Sequence, residues 1–138
     1  MQGIDAEILQ FPTLMAEHND IGKWGEDYAQ EFLVKKGYSI CSRDWRLGKR
    51  DIDIIALTPD MLTMVFVEVK TRQTDEVMEP TAAVDHKKIK SIGYCANAYI
   101  KEQNIDMDIR FDIITIVGSP ESKPVVHHIE DAFNPCLA

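Results

Sequence analysis

The stretch Leu62-Thr63-Met64-Val65-Phe66-Val67-Glu68-Val69-Lys70-Thr71-Arg72 decides the fold of this 138-residue chain. β-Branched and aromatic residues dominate it, and apolar positions on both of its faces predict a strand buried from two sides. Inside that strand stand a carboxylate and an ammonium. Glu68 and Lys70 are two residues apart and so project from one face, whereas Val65, Val67 and Val69 project from the other. Burying such groups costs on the order of several kcal/mol unless they are paired or bind an ion. The pair therefore needs a reason to be there.

Immediately upstream, Asp51-Ile52-Asp53-Ile54-Ile55-Ala56 reads as a second strand, with two carboxylates on one face and two isoleucines on the other. Thr58-Pro59-Asp60 is turn chemistry, so the two strands should form an antiparallel hairpin. Symmetric pairing across a loop of two or four residues puts Asp51 opposite Glu68. It puts Asp53 opposite Phe66 and diagonal to Glu68, at about 7–8 Å between Cα atoms. Three carboxylates and Lys70 then share one patch.

Further out, residues 1–18 read as an N-terminal extension of disordered character and 19–138 as a single domain. From the N-cap residues Asn19 or Asp20 a helix runs to Gly37, with Ile21, Trp24, Tyr28 and Phe32 as its apolar stripe. Gly22, Gly25 and Ala29 form a row of small residues on it, beside Glu26, that would permit close approach to another element. Tyr38 to Arg46 reads as a strand, and residues 73–80 as an acidic loop or flap. A second helix starts between Glu79 and Asp85 and ends near Asn104, burying Ile89, Ile92, Ala96 and Tyr99 or Ile100, with His86, Lys87, Lys90 and Lys101 on its other side. Strands follow at Asp108–Val117 and Val125–Ile129. The order αβββαββ predicts an α/β fold, a mixed central sheet flanked by helices.

Composition narrows the function classes. A net charge of −8 argues against coating nucleic acid by bulk electrostatics, so a polyanion would have to meet a local basic patch. Lys35, Lys36, Arg43, Arg46, Lys49 and Arg50 stand against the single acid Asp44, so residues 35–50 carry +5. That patch could face phosphate, though basic residues are also usual at helix C-termini and in turns. Three cysteines without zinc spacing argue against a disulfide framework or structural metal. With no bilayer-spanning run and no signal-like start, the cytoplasm is the default location, with no membrane partner.

Carboxylates aligned at a strand end suit a hard cation, which takes oxygen ligands together with water and substrate phosphate. A lysine beside them can stabilise charge growing on a phosphodiester or orient a water. An acid on one strand, Glu-x-Lys on the next and a glutamate on a preceding helix resemble the PD-(D/E)-x-K nuclease superfamily, which includes archaeal Holliday-junction resolvases. More narrowly, four blocks resemble the bacterial YraN-like family of predicted endonucleases, over about Gly22 to Phe133: Gly22-x-x-Gly25-Glu26-x-x-Ala29, Asp51-Ile52-Asp53-Ile54-Ile55, Phe66-Val67-Glu68-Val69-Lys70-Thr71-Arg72 and Arg110-Phe111-Asp112. The bare acid and Glu-x-Lys pattern is common by chance; the four blocks in order are specific.

The resemblance implies a restriction-endonuclease-like core, with Mg²⁺ or Mn²⁺ held by Asp53, Glu68 and the main-chain carbonyl of Val69. It also implies a catalytic Lys70 and a Glu26 reaching the site from the first helix. The superfamily's proline before the acid is Ile52 here, and the family's Gly-Glu-Ile-Asp is Arg50-Asp51-Ile52-Asp53. The activity implied is hydrolysis of nucleic-acid phosphodiesters, of structured or branched DNA, with Arg46, Lys49, Arg50, Arg72 and Lys87 as nucleic-acid contacts and a homodimer by analogy with resolvases.

Three other readings compete. A solvated hairpin face with cross-strand ion pairs would explain Asp53, Glu68 and Lys70 without chemistry. A non-catalytic module could keep the nuclease fold to bind nucleic acid or protein. A metabolic enzyme acting on another phosphate ester finds no glycine-rich loop in its favour. Trp24 and Trp45 read as core or interface residues, His127 and His128 as exposed strand positions, and Asp112, beside Arg110, as structural.

Overall fold

The computed structural model describes residues 17–73 and 85–137. Helix α1 (Glu17–Lys35) is followed by β1 (Ser39–Leu47), β2 (Arg50–Leu57), β3 (Thr63–Arg72), α2 (His86–Gln103), β4 (Asp108–Val117) and β5 (Val125–Ile129). A 3₁₀ turn at Pro135–Leu137 closes the chain and has no counterpart in the sequence reading. Residues 1–16 of the expected extension and 74–80 of the expected acidic loop lie outside the described residues, as do 81–84, while Glu17 and His18, read as part of the extension, begin α1. The αβββαββ order is the one expected, and the architecture is the α/β, restriction-endonuclease-like core with its mixed sheet.

The five strands lie in sequence order. Pairs β1–β2, β2–β3 and β4–β5 are antiparallel, and β3–β4 is parallel with α2 as the crossover. Because a helix covers each face, β3 must be apolar on both. Val65, Val67 and Val69 pack with Ala29, Leu33, Ile54 and Ile114 on the α1 side. Met64 and Phe66 pack with Ile55, Ile92, Ala96 and Tyr99 on the α2 side.

The hairpin register differs from the expected one by two residues. Ile54 faces Val67 and Leu57 faces Met64, which brings Asp53 level with Glu68 rather than with Phe66. The turn supplies the reason. Asp60 Oδ1 accepts from the Leu62 N–H at 3.0 Å and from the Thr58 hydroxyl at 2.6 Å, and Met61 adopts φ +66°, so Leu62 is taken into the turn instead of the strand. The two isoleucines of β2 do not share a face either: Ile52 packs on the α2 side and Ile54 on the α1 side. The alternation slips at Asp53, which lies beside Asp44 of β1, a residue at φ +50°, and the β1–β2 register itself shifts between Ile40 and Ser42.

Helix α1 ends in a Schellman motif: Gly37 at φ +98°, with Gly37 N–H donating to Val34 O and Tyr38 N–H to Leu33 O. Its deepest stripe is Gly25, Ala29 and Leu33, one residue on from the stripe expected, while Trp24, Tyr28 and Phe32 pack at its edge. The row of small residues is real at Gly25, where an added Cβ would stand 2.0 Å from Thr71 Oγ1 on β3, but Gly22 faces open space. Helix α2 starts at the N-cap Asp85 and ends at Asn104 in the left-handed region.

On the α1 face Asp112 is fully buried, so its structural reading fits. It accepts from Arg110 at 2.9 and 2.8 Å and from the Asp131 N–H at 3.0 Å, and lies 2.7 Å from His128 Nε2. Burial alone would raise its carboxyl, yet these partners hold it below its ordinary value. His128 is therefore no exposed strand residue, as its position had suggested: it is tucked between Asp112 and Lys36, while His127 is exposed.

A Gly25→Ala change is expected to cost about 1–3 kcal/mol by overpacking α1 against Thr71. Urea unfolding should show the loss, and Thr71→Ala in the same chain should recover part of it.

Candidate functional site

The site is built where β2 enters the sheet, β3 leaves it and α1 crosses above. There Ile21, Glu26, Asp53, Glu68, Val69, Lys70, Thr71 and Arg72 line a concavity of about 540 Å³. Close approach of α1 at Gly25 lets its next residue, Glu26, reach this end of the sheet. Asp53 is 8% exposed and Glu68 only 4%, so both carboxylates sit at the bottom of the concavity.

Their partners are few. The Val69 N–H donates to Asp53 Oδ2 at 2.8 Å, so the β3 backbone fixes this carboxylate just beyond the paired stretch of β2 and β3. Lys70 Nζ and Lys88 Nζ each lie 3.8 Å from Glu68 Oε2, and Lys88 is also 3.9 Å from Asp51. Glu68 Oε1 is buried and has no hydrogen-bond partner among the described residues. Carboxylate oxygens of Glu26, Asp44 and Asp53 lie within 4.8 Å of one another. Arg43 binds the outer side of this group, 2.6 Å from Gln30 Oε1, 3.0 Å from Asp27 and 3.5 Å from Glu26.

Such crowding disfavours full ionisation. Burial first, then the negative charges of Asp53 and Asp44, push the Glu26 carboxyl up to about 7 against the pull of Arg43. Burial and the charge of Asp53 push Glu68 up to about 8, although Lys88 and Lys70 oppose them. Burial also raises Asp53, partly offset by the Val69 N–H. An oxygen-only donor set with a partnerless buried oxygen and excess negative charge is the chemistry that a hard divalent cation satisfies.

Of the residues singled out in the sequence, Glu26, Asp53, Glu68, Val69, Lys70 and Arg72 line this one concavity. Arg50 and Lys87 line a neighbouring one that shares Lys70. Arg46 and Lys49 line neither; both are exposed on the β1–β2 hairpin, Arg46 facing Asp51 across the strands. The +5 segment does not form one patch, because Lys36 reaches His128 and Glu130 while Arg43 is tied to α1. Lys88 and Asp44 were missed. Lys88 lay unremarked in a helix start rich in lysine, and Asp44 counted only as one acid among six bases; neither has a local pattern that points at Glu68 or Asp53.

The sequence model of the uncharacterised protein family UPF0102 matches residues 25–116. The chain belongs to the UPF0102 family. This is the YraN-like family to which the four sequence blocks pointed, and the matched span holds every residue of the concavity from Glu26 to Gln73. Among UPF0102 relatives, one from Phocaeicola vulgatus is 45% identical over 122 residues, covering 88% of this chain and 98% of the relative. Another, from Flavobacterium psychrophilum, is 44% identical over 119 residues, covering 86% and 98%. A solved structure titled "The structure of Pyrococcus Furiosus SfsA in complex with Ca2+" aligns at a TM-score of 0.32 and 12% identity, over 79% of this UPF0102 chain and 62% of that one. That likeness is too slight to bear on the site. No helix among the described residues is long and apolar enough to cross a membrane.

The raised carboxyls set a pH dependence. A carboxyl raised by folding contributes stability that is fully present below its ordinary value of 4.5 and is lost as pH rises through the folded value, about 7 for Glu26 and about 8 for Glu68. The cation-free protein should therefore lose melting temperature between pH 5 and 8. Glu68→Gln should flatten that fall in differential scanning calorimetry, and added Mn²⁺ should reverse it in the wild type.

Proposed function

We propose that this chain is a divalent-cation-dependent endonuclease acting on nucleic-acid phosphodiesters, with structured or branched DNA as substrate. One observation carries the reading. A carboxylate that is 96% buried keeps an oxygen without a partner, beside a second buried carboxylate, in an open concavity that also presents a lysine. A solvated ion-paired face would leave neither carboxylate buried.

Asp53 and Glu68 would hold Mg²⁺ or Mn²⁺, with the Val69 carbonyl as the third protein ligand that the family resemblance implies. Glu26 and Asp44 crowd Asp53, with carboxylate oxygens of the three within 4.8 Å of one another. When bound, the cation supplies Lewis acidity toward a phosphodiester oxygen and makes a bound water acidic. Lys70 offers an ammonium to the phosphoryl oxygens, on which negative charge grows toward the transition state. Lys88, brought by α2, adds a second positive charge on the same side of Glu68. Glu26, with its carboxyl raised to about 7, is suited to exchange a proton at neutral pH.

Cleavage of single-stranded, duplex, flap and four-way-junction substrates in Mg²⁺ and Mn²⁺ tests the reading. Asp53→Ala and Lys70→Ala should each lose about a hundredfold or more in rate, and Lys88→Ala about tenfold, in chains that fold as the wild type does. A wild type no faster than these variants on every substrate would end the enzymatic reading.

A second reading, a non-catalytic binding module with the nuclease fold, is favoured by the two ammoniums at 3.8 Å from Glu68 Oε2, which neutralise it without a cation. Calorimetric titration with Mn²⁺ separates the two. Binding that disappears in Glu68→Gln supports the enzyme; binding no different from that variant's supports the module.

A further inference from the structure

Beside the carboxylate concavity lies a second one of about 670 Å³, lined by Arg50, Lys87, Lys88, Lys90 and Tyr94 and joined to the first through Lys70. Its charge is opposite to that of the chain. Five cations, Lys70 included, and one acid, Asp85, line it, a lining charge of +4 in a protein of −8; Lys70 and Lys88 also meet Glu68, which leaves Arg50, Lys87 and Lys90 as the cations turned to the recess alone. Even that acid is turned toward its own helix, since Asp85 Oδ1 accepts from the Lys88 N–H at 2.9 Å.

Tyr94 is the unexpected member. Helix α2 buries Ile92, Cys95, Ala96 and Tyr99, yet leaves Tyr94 59% exposed among the lysines. The Arg50 guanidinium lies 4.4 Å from the ring centroid, which holds the aromatic in place at the mouth of the concavity. The core does not require this ring, and a purely electrostatic phosphate patch would not either.

An aromatic fixed among cations is how proteins take single strands: cations track the phosphates and bases stack on the ring, at about 1–3 kcal/mol per base. Bases inside a double helix already have both faces covered by their neighbours, so a stacking ledge selects unpaired ones. The size agrees. At about 670 Å³ the concavity falls within the roughly 300–1,000 Å³ of small-molecule sites, enough for roughly one or two nucleotides and too small for a duplex.

We propose that this second concavity binds an unpaired nucleic-acid strand adjoining the phosphodiester in the carboxylate site, with a base stacked on Tyr94 and phosphates met by Arg50, Lys87 and Lys90. The inference rests on reading the carboxylate concavity as a phosphodiester site. It gives the substrate a feature that site alone does not: a single-stranded arm.

The test is fluorescence anisotropy with a short labelled single strand and the duplex of the same sequence, in EDTA so that no cleavage occurs. Wild type should bind the single strand more tightly than the duplex. Tyr94→Leu should weaken single-strand binding about 5- to 150-fold and Tyr94→Phe should restore it, both leaving duplex binding unchanged. Lys87→Ala with Lys90→Ala should lower the slope of log affinity against log salt by about 1.4. The inference is overturned by equal binding of duplex, by an unaltered Tyr94→Leu affinity, by no binding at all, or by displacement of the strand by polyglutamate at matched charge, which would mark a site for acidic peptide. Tyr94-dependent binding with no cleavage in Mg²⁺ would overturn the proposed activity alone. Cleavage without Tyr94 dependence would overturn this inference alone.

Discussion

Two carboxylates, Asp53 and Glu68, are buried at the end of a sheet that carries a helix on each face, and the surrounding structure is arranged to tolerate them. Removing such charges from water costs several kcal/mol each, on the order of the penalty for any buried ion. The β3 backbone meets part of that cost through the Val69 N–H on Asp53, and Lys70 and Lys88 meet another part through Glu68. What is left over is one buried oxygen without a partner and three carboxyls, those of Glu26, Asp53 and Glu68, all raised above their ordinary values. A protein selected for stability alone would place apolar side chains there; under the proposed function, the strained electrostatics of this open concavity are what a bound cation would relieve.

Helix α1 must be held accurately for Glu26 to join this group, and it is fixed at its middle and at its end by different physics. At its middle Gly25 lets the backbone come against Thr71, a contact that any Cβ would prevent. At its end the Schellman turn delivers Tyr38, whose hydroxyl accepts from Arg110 at 2.7 Å, into the buried network around Asp112. That network is fully partnered, unlike the one at Glu68. The contrast separates the two acidic centres of the molecule: Asp112 is satisfied by Arg110, His128 and a backbone N–H, so it organises structure, whereas Glu68 is left with bonding capacity unused.

The two concavities meet at Lys70 and differ in sign. A uniformly basic surface would draw nucleic acid anywhere along it, but a basic recess in an acidic chain restricts where a polyanion can settle. Lys70 and Lys88, each 3.8 Å from Glu68 Oε2 and both lining the basic recess, link the charges of the two concavities.

The sequence by itself determined the element order, most strand limits and the pairing of Glu68 with Lys70 on one face. Those features follow from local rules: a two-residue alternation, β-branched composition, and capping residues such as Gly37, Asp85 and Asn104 act within a few residues of themselves. Hairpin pairing added Asp51 and Asp53 to the group, and family resemblance added Glu26. Only the tertiary structure decided the hairpin register, because Asp60 drew Leu62 into the turn and so brought Asp53, not Asp51, level with Glu68. Tertiary structure alone also supplied Lys88, Asp44 and the Arg50–Tyr94 pair. Each belongs to its site through an approach between elements distant along the chain or across a strand pair, and through-space electrostatics leave no period in a sequence.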